Sequence, residues 1–285
     1  MEVTIKINLD SCIRCGRCVK VCPSLIFVQS EPKLAPQITT STGCIACGHC
    51  TDACPSCSID HSEFPLSATH AINYGQMPTP AQVMLLCSAR RSNRAFSKTA
   101  VPTEMLEQIL RAAHLAPTAS NLQQVEFTLV TDPVLLGFIT DFTLGVFDSV
   151  VKKLTNPFIK MVVKPFAGGL YKYVPHFNRL LAERAKGNDM ILRGATAVIF
   201  IHTPAKNRFG CQDANLAYEN GSLMAESLGV SQFYTGFVCS AIKQSQALNK
   251  KLGVDGTIHA GMALGIPQFR YPNYVDRKKL VVKRY

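Results

Sequence analysis

Eight cysteines in two copies of one run constrain what this chain can fold into more than any other feature. The first copy reads Cys12-Ile-Arg-Cys15-Gly-Arg-Cys18-Val-Lys-Val-Cys22-Pro23, and the second Cys44-Ile-Ala-Cys47-Gly-His-Cys50-Thr-Asp-Ala-Cys54-Pro55. Each is C-x2-C-x2-C-x3-C-P, a spacing suited to iron–sulfur cubes. Three thiolates two residues apart can wrap one cube, while the proline after the fourth swings that cysteine away toward a second. Gly16 and Gly48 sit where a tight loop must approach inorganic sulfide, which only a residue without a side chain does cheaply. Zinc takes four ligands and favours paired C-x2-C units farther apart. Disulfides belong to secreted chains, and cysteines this close in a protein this large do not suit them.

The two runs resemble the bacterial ferredoxin pattern that holds two [4Fe–4S] clusters. That resemblance assigns Cys12, Cys15, Cys18 and Cys54 to one cluster, and Cys44, Cys47, Cys50 and Cys22 to the other. Cys57 lies three residues past Cys54 and is read as a buried free thiol rather than an extra ligand. Cys87, Cys211 and Cys239 are isolated, and such cysteines usually pack in a core.

A chain of 285 residues with 47% hydrophobic content suggests about two domains with an ordinary core. Residues 1–10 alternate polar and apolar, with Glu2, Lys6 and Asp10, and hold no signal-peptide apolar region. No uncharged stretch reaches the roughly 18 residues of a membrane span, so no transmembrane segment is predicted. Oxygen-sensitive clusters without an export signal predict a cytoplasmic protein. The formal charge of +11 counts every cysteine as neutral, and two anionic clusters would lower it substantially. No basic run is interleaved with aromatics, so nucleic-acid binding is not expected.

Taken in order, Val3–Asn8 reads as a period-2 strand, and Leu25–Val28 with Lys33–Ala35 as a short hairpin between the cysteine runs. Residues 61–80, with Pro65, Gly75, Pro78 and Pro80, read as a linker after a first domain over 1–60. Thr79-Pro80 caps a helix over Ala81–Cys87. Arg90-Arg91-Ser92-Asn93-Arg94 alone would be a solvated charge run. It is followed by a helix over Met105–Leu115, by Ala116-Pro117-Thr118-Ala119-Ser120-Asn121-Leu122-Gln123, and by the strand Glu126–Val130.

This succession resembles the opening of the FMN-dependent nitroreductase family. The likeness continues at Ala195–Ile201, Asp213–Gly229, Tyr234–Phe237 and Met262–Pro267, and spans most of residues 81–285. Together with the cysteine module, the chain resembles the ferredoxin–nitroreductase fusions of anaerobic microbes. The implied fold class is α+β: an N-terminal 2[4Fe–4S] ferredoxin-like domain, then a three-layer α/β/α flavin domain with a helical insertion. The resemblance places Arg90, Arg91, Ser92 and Arg94 on the ribityl phosphate of FMN, with Arg277 adding to it. Arg270 and Lys279 lie nearby in sequence and compete for that last role. It brings Pro117, Thr118, Ala119 and Asn121 to the flavin of the other subunit of a homodimer. Thr235 and Gly236 match backbone donors near the isoalloxazine ring, where negative charge builds on reduction. One departure stands out: Gln123-Gln124-Val125 replaces the family's Gln-Pro-Trp, and the chain has no tryptophan.

The implied activity is transfer of electrons from an external donor, reduced ferredoxin or NAD(P)H, through the clusters and FMN. The acceptor would be a nitroaromatic, a quinone or an activated alkene. Reductive dehalogenation on the same fold, and a pure electron carrier for a protein partner, are the alternatives. No G-x-G-x-x-G follows a strand, so no separate dinucleotide domain is expected. His49 reads as a surface residue that modulates a cluster, and His202 and His259 as structural. Asp213 and Glu226 are too far apart for paired-carboxylate chemistry.

About sixty residues separate the strands ending at Val130 and starting near Ala195. Within Pro133–Arg193, Phe142, Val146, Val150 and Leu154 fall on one helical face. Pro157, Pro165 with Gly168-Gly169, and Pro175 predict short helices instead of one rod. They would form a cap over the flavin, an extension of the dimer interface or, less favoured because the aromatics are scattered through the breaks, an amphipathic membrane-surface helix.

Overall fold

A computed structural model describes residues 3–285, the side chains at 163, 167, 168 and 170 aside. The chain forms two compact units, one running to Pro78 together with Ala119–Gln123, the other comprising Thr79–Thr118 and Gln124–Tyr285.

In the first unit, β1 (Ile5–Ile7) precedes α1 (Arg17–Val21), β2 (Phe27–Val28), β3 (Gln37–Ile38), α2 (His49–Asp52) and β4 (Ile59–His61). β1 pairs antiparallel with β4, Ile5 opposite His61, and β2 pairs antiparallel with β3. Each short helix starts after a left-handed glycine, Gly16 at φ 67° and Gly48 at φ 76°. Those conformations are strained for any residue with a Cβ, which fixes both glycines. The hairpin differs from expectation. Lys33 takes φ 70° in a turn, so the returning strand is Gln37–Ile38 and not Lys33–Ala35. Ile5, Ile26, Phe27 and Ile59 form a small core with Cys18 and Cys50. A core of this size is marginal without further cross-linking.

The second unit opens with α3 (Pro80–Ala89), whose Thr79 cap and Gln82 form a reciprocal capping box. It continues with α4 (Thr103–His114), β5 (Glu126–Val130), α5 (Pro133–Thr155), α6 (Pro157–Ala167), α7 (Val174–Ala185), β6 (Ala197–Thr203), α8 (Gly210–Leu228), β7 (Ser231–Tyr234), α9 (Gly236–Ile242), α10 (Ala247–Leu252) and β8 (Thr257–Gly265). The four strands form one antiparallel sheet in the order β5-β6-β8-β7. β6 is buried along its whole length, and its side chains alternate between two cores. Ala197, Ile199 and Ile201 join Leu106 and Ile109 of α4 and Ala214 and Ala217 of α8. Val198 and Phe200 join Ile139 and Phe147 of α5, Leu180 of α7 and Val238 of α9. The alternation of β6 thus makes the helix–sheet–helix sandwich that the family likeness implied.

The insertion is broken at Pro157, over Gly168–Tyr173 and at Val174-Pro175, close to the predicted points, but its first helix is long and Pro165 ends no helix. α5 runs 23 residues unbroken from its Asp132 cap, which accepts a hydrogen bond from Leu135 N at 2.8 Å. Gly137 and Gly145 do not interrupt it, and Pro165 lies inside α6 without ending it. The buried stripe of α5 includes Leu136, Ile139, Thr143, Phe147, Val151 and Leu154, leaving Phe142, Val146 and Val150 half-buried at its margin. α5 is also long and apolar enough, by length and composition, to cross a membrane. Here it serves as a core helix: Phe147 stacks on Phe177 of α7 at 4.4 Å, and Asp141 pairs with Arg184 at 2.8 Å.

Candidate functional site

In the first unit, the loops before α1 and α2 gather the cysteines. Cys22, Cys44, Cys47 and Cys50 line one common cavity, so the last cysteine of the first run joins the first three of the second. Among the described residues, no three such side chains converge as ligands of a single ion; the sulfurs surround a space instead. Burial raises the Cys18 thiol pKa, and the nearby charges of Cys12 and Cys54 add to this. Burial likewise raises Cys50, with Cys22 and Cys47 adding. At Cys54 burial also pushes upward, but hydrogen bonds from Ser58 N at 3.2 Å and from Ser56 outweigh it and lower the pKa. Such N–H groups favour the thiolate, the form that ligates metal. Ile26 N donates to Cys22 Sγ at 3.4 Å, and His61 Nε2 lies 3.6 Å from Cys44 Sγ. Cys57, expected buried, is exposed, as are Cys87 and Cys211; only Cys239 of the isolated cysteines is buried.

In the second unit, a cavity of about 730 Å3 is lined by Arg90, Arg91, Ser92, Arg94 and, from the C-terminal segment, Tyr271, Asn273–Asp276 and Arg277. The loop is held there by backbone pairing with the strand exit. Ser97 N donates to Ile266 O at 2.7 Å, Gln268 N to Ala95 O at 2.8 Å, and buried Asn93 donates Nδ2 to Phe269 O at 3.0 Å. Arg277 faces this space, whereas Arg270 and Lys279 do not line it. Four arginines, with Ser92 and the tyrosines Tyr271 and Tyr274, line it with one carboxylate, Asp276. Arg90 also pairs with Glu219 at 3.6 Å. The surplus of forked cations suits a doubly charged phosphate.

A second cavity of about 390 Å3 shares Arg94 with the first. Its walls are Phe233–Val238 at the β7–α9 junction and Met190, Ile191 and Arg193 at the end of the insertion. Arg94 lies over the Phe233 ring, 5.2 Å from its centroid, and donates Nη1 to Ser92 O at 3.3 Å. Thr235 N donates to Gly261 O at 2.8 Å, which commits that N–H to the sheet. Gly236 opens α9, where the first N–H groups of a helix lack intrahelical partners. Beside this site, Tyr218 donates its hydroxyl to Gln232 Oε1, and burial holds its pKa well above the ordinary tyrosine value. Gln232 Nε2 is buried with no partner among the described residues.

Pro117, Thr118, Ala119 and Asn121 line neither cavity of their own chain. Asn121 belongs to the first unit, where Nδ2 donates to Ala46 O at 2.6 Å. His202 and His259 hold threonines of the sheet, Thr128 at 3.0 Å and Thr203 at 2.9 Å, as structural histidines do. Sequence reading missed Tyr271–Asp276 and Met190–Arg193, which lie in irregular segments without a periodic or motif signal.

Comparison with known proteins agrees with this architecture. A model of the Nitroreductase family matches residues 87–266, and one of the 4Fe-4S dicluster domain matches residues 4–55. Among curated proteins no sequence matches this one. Among solved structures, a nitroreductase with bound FMN from Bacteroides fragilis is 20% identical over 71% of this chain and 99% of its own, with a TM-score of 0.52. A nitroreductase with bound FMN from Desulfitobacterium hafniense is 19% identical over 70% and 97%, with a TM-score of 0.54. An FMN-dependent nitroreductase from Clostridium difficile is 20% identical over 73% and 100%, with a TM-score of 0.53. With more than half of its 285 residues matched by that family's model, behind an iron–sulfur dicluster module, the chain belongs to the nitroreductase family.

Proposed function

We propose that the chain is an iron–sulfur flavoprotein oxidoreductase, carrying electrons from two [4Fe–4S] clusters through FMN to a small organic acceptor of nitroaromatic, quinone or activated-alkene type. The observation that carries this reading is the pair of cavities joined at Arg94, one ringed by guanidinium groups and the other walled by apolar side chains and the start of α9. Bound FMN supplies a centre able to gather single electrons and release them in pairs.

The residues divide the work. Arg90, Arg91, Ser92, Arg94 and Arg277 hold the phosphate arm. Gly236 offers an N–H to the ring's polar edge, while Phe233 and Phe237 exclude water from it. Met190, Ile191 and Arg193 bring the insertion to the same space, which favours its reading as a cap. Residues 1–60 would hold the clusters, residues 61–80 join the parts, and residues 81–285 hold FMN. The crossed ligand sets are Cys12, Cys15, Cys18 with Cys54, and Cys44, Cys47, Cys50 with Cys22, in keeping with the cavity that Cys22 shares with the second run.

The functional unit in this proposal is a homodimer. Apolar α3 buries none of its residues, and Leu280, Val281 and Val282 of the C-terminal segment are exposed, surfaces a second copy would cover. Pro117, Thr118, Ala119 and Asn121 would then serve the neighbour's cofactor. The deciding experiment is anaerobic reduction with reduced ferredoxin or with NAD(P)H, each followed by an acceptor. Bleaching of a flavin band by one donor and its recovery on adding a nitroaromatic or quinone is the expected result. A flavin that bleaches but is reoxidised only by a protein partner would make the chain a carrier, and absence of bound flavin would end the proposal.

A further inference from the structure

α6 is amphipathic, and its apolar face points outward. Phe158, Met161, Val162 and Phe166 recur at helical spacing and are 79%, 73%, 61% and 90% exposed. A soluble helix ordinarily turns such a stripe to a core. Here the helix packs against α5 and the 3₁₀ turn that follows it, and the stripe remains uncovered. Beside it, Pro157, Lys160, Met161, Lys164 and Pro165 line an open groove of about 620 Å3.

The charges around this face have one sign. Between Asp148 and Glu183 the sequence has Lys152, Lys153, Lys160, Lys164, Lys172 and Arg179 and no acidic residue. Lys152 is paired with Asp148 at 2.6 Å. Among the described residues, no ion pair involves Lys153, Lys160, Lys164 or Lys172.

The occupant must be apolar where it meets the two phenylalanines and anionic beside them. A second copy docking by two-fold symmetry would set this cationic patch against itself. The boundary of an anionic lipid leaflet meets both demands at once, with acyl chains for the aromatics and phosphate headgroups for the lysines. We propose that α6 is a membrane-surface anchor, with Phe158, Met161, Val162 and Phe166 entering one leaflet and Lys160 and Lys164 pairing with anionic headgroups.

The test is co-sedimentation of the anaerobically purified holoprotein with phosphatidylcholine vesicles, with and without phosphatidylglycerol. Binding is expected to the phosphatidylglycerol vesicles and to weaken as salt is raised. K160Q/K164Q should reduce that binding by about thirtyfold, taking about 1 kcal/mol per lysine near an anionic surface. Phe158→Ser with Phe166→Ser should abolish it, with iron and flavin content unchanged because both side chains are on the surface. Absence of binding by the natural sequence, equal binding to neutral vesicles, or variants that bind unaltered would each overturn the proposal. So would a Phe158/Phe166 variant that keeps vesicle binding but sediments as a smaller species, which would make the face a contact between copies.

Discussion

Asn121 donates its side-chain amide to the carbonyl oxygen of Ala46 at 2.6 Å, and to that of Ile45 at 3.4 Å. Both acceptors lie in the loop between Cys44 and Cys47, and Ala46 takes a left-handed φ of 46° there. The segment Ala119–Gln123 thus braces a cysteine loop far from it in sequence. Asn121→Ala removes a hydrogen bond of about 1 kcal/mol. It should speed loss of the cluster held by the second cysteine run, read as bleaching in the presence of a chelator. An unchanged bleaching rate would mean that the loop is rigid without it.

Anaerobic protein should contain about eight iron per chain, the sum of two four-iron cubes. Cys54→Ala should remove the cluster of Cys12, Cys15 and Cys18 and leave the other, distinguishable by electron paramagnetic resonance. Loss of the cluster of Cys44, Cys47 and Cys50 instead would show that each run serves its own cube.

Arg94 touches both cavities, so Arg94→Ala should weaken FMN by about 1.5–3 kcal/mol, the range of a charge-assisted contact. Arg277→Ala should act in the same direction, while Lys279→Ala, whose side chain lines neither cavity, should leave affinity unaltered. Flavin titration of the three proteins, with iron content as the control, measures the difference.

Burial lowers the pKa of His202 and His259 below the ordinary imidazole value of about 6.5, with Glu126 opposing in part at His202. Both therefore take up a proton less readily when folded than in the unfolded chain. Their contribution to stability is present above about pH 6.5 and is lost as pH falls below it. Urea unfolding at falling pH should show a steeper loss in the natural protein than in His202→Gln with His259→Gln. Parallel pH profiles for the two would refute this.

Much of this molecule was legible in its sequence, for definite reasons. The eight cysteines recur at one spacing, and Arg90, Arg91, Ser92 and Arg94 lie on one short loop lining one cavity, so both show as local patterns. β6 was visible because Ala197–Ile201 form an apolar run with no polar gap. What escaped notice depends on tertiary contact. Tyr271–Asp276 reach the cavity on an irregular segment held by Asn93 and Gln268, with no period to betray it. The break after α5 was visible at Pro157, but Pro165 is accommodated within α6, where its packing context and not its residue type decides. Exposure of Cys57, Cys87 and Cys211 has no signature in composition.

The hydrogen bond from Thr235 to Gly261 divides the two walls of the apolar cavity by how freely they can vary. On the sheet side, a side chain added at Gly261 would collide with the Thr235 hydroxyl, and a shift there would disturb the strand register on which both cores depend. Met190, Ile191 and Arg193 lie outside the sheet ladder, at the end of an insertion. A lineage drifting toward new acceptors would therefore record its history at residues 190–193, while the β7–α9 corner stayed the same.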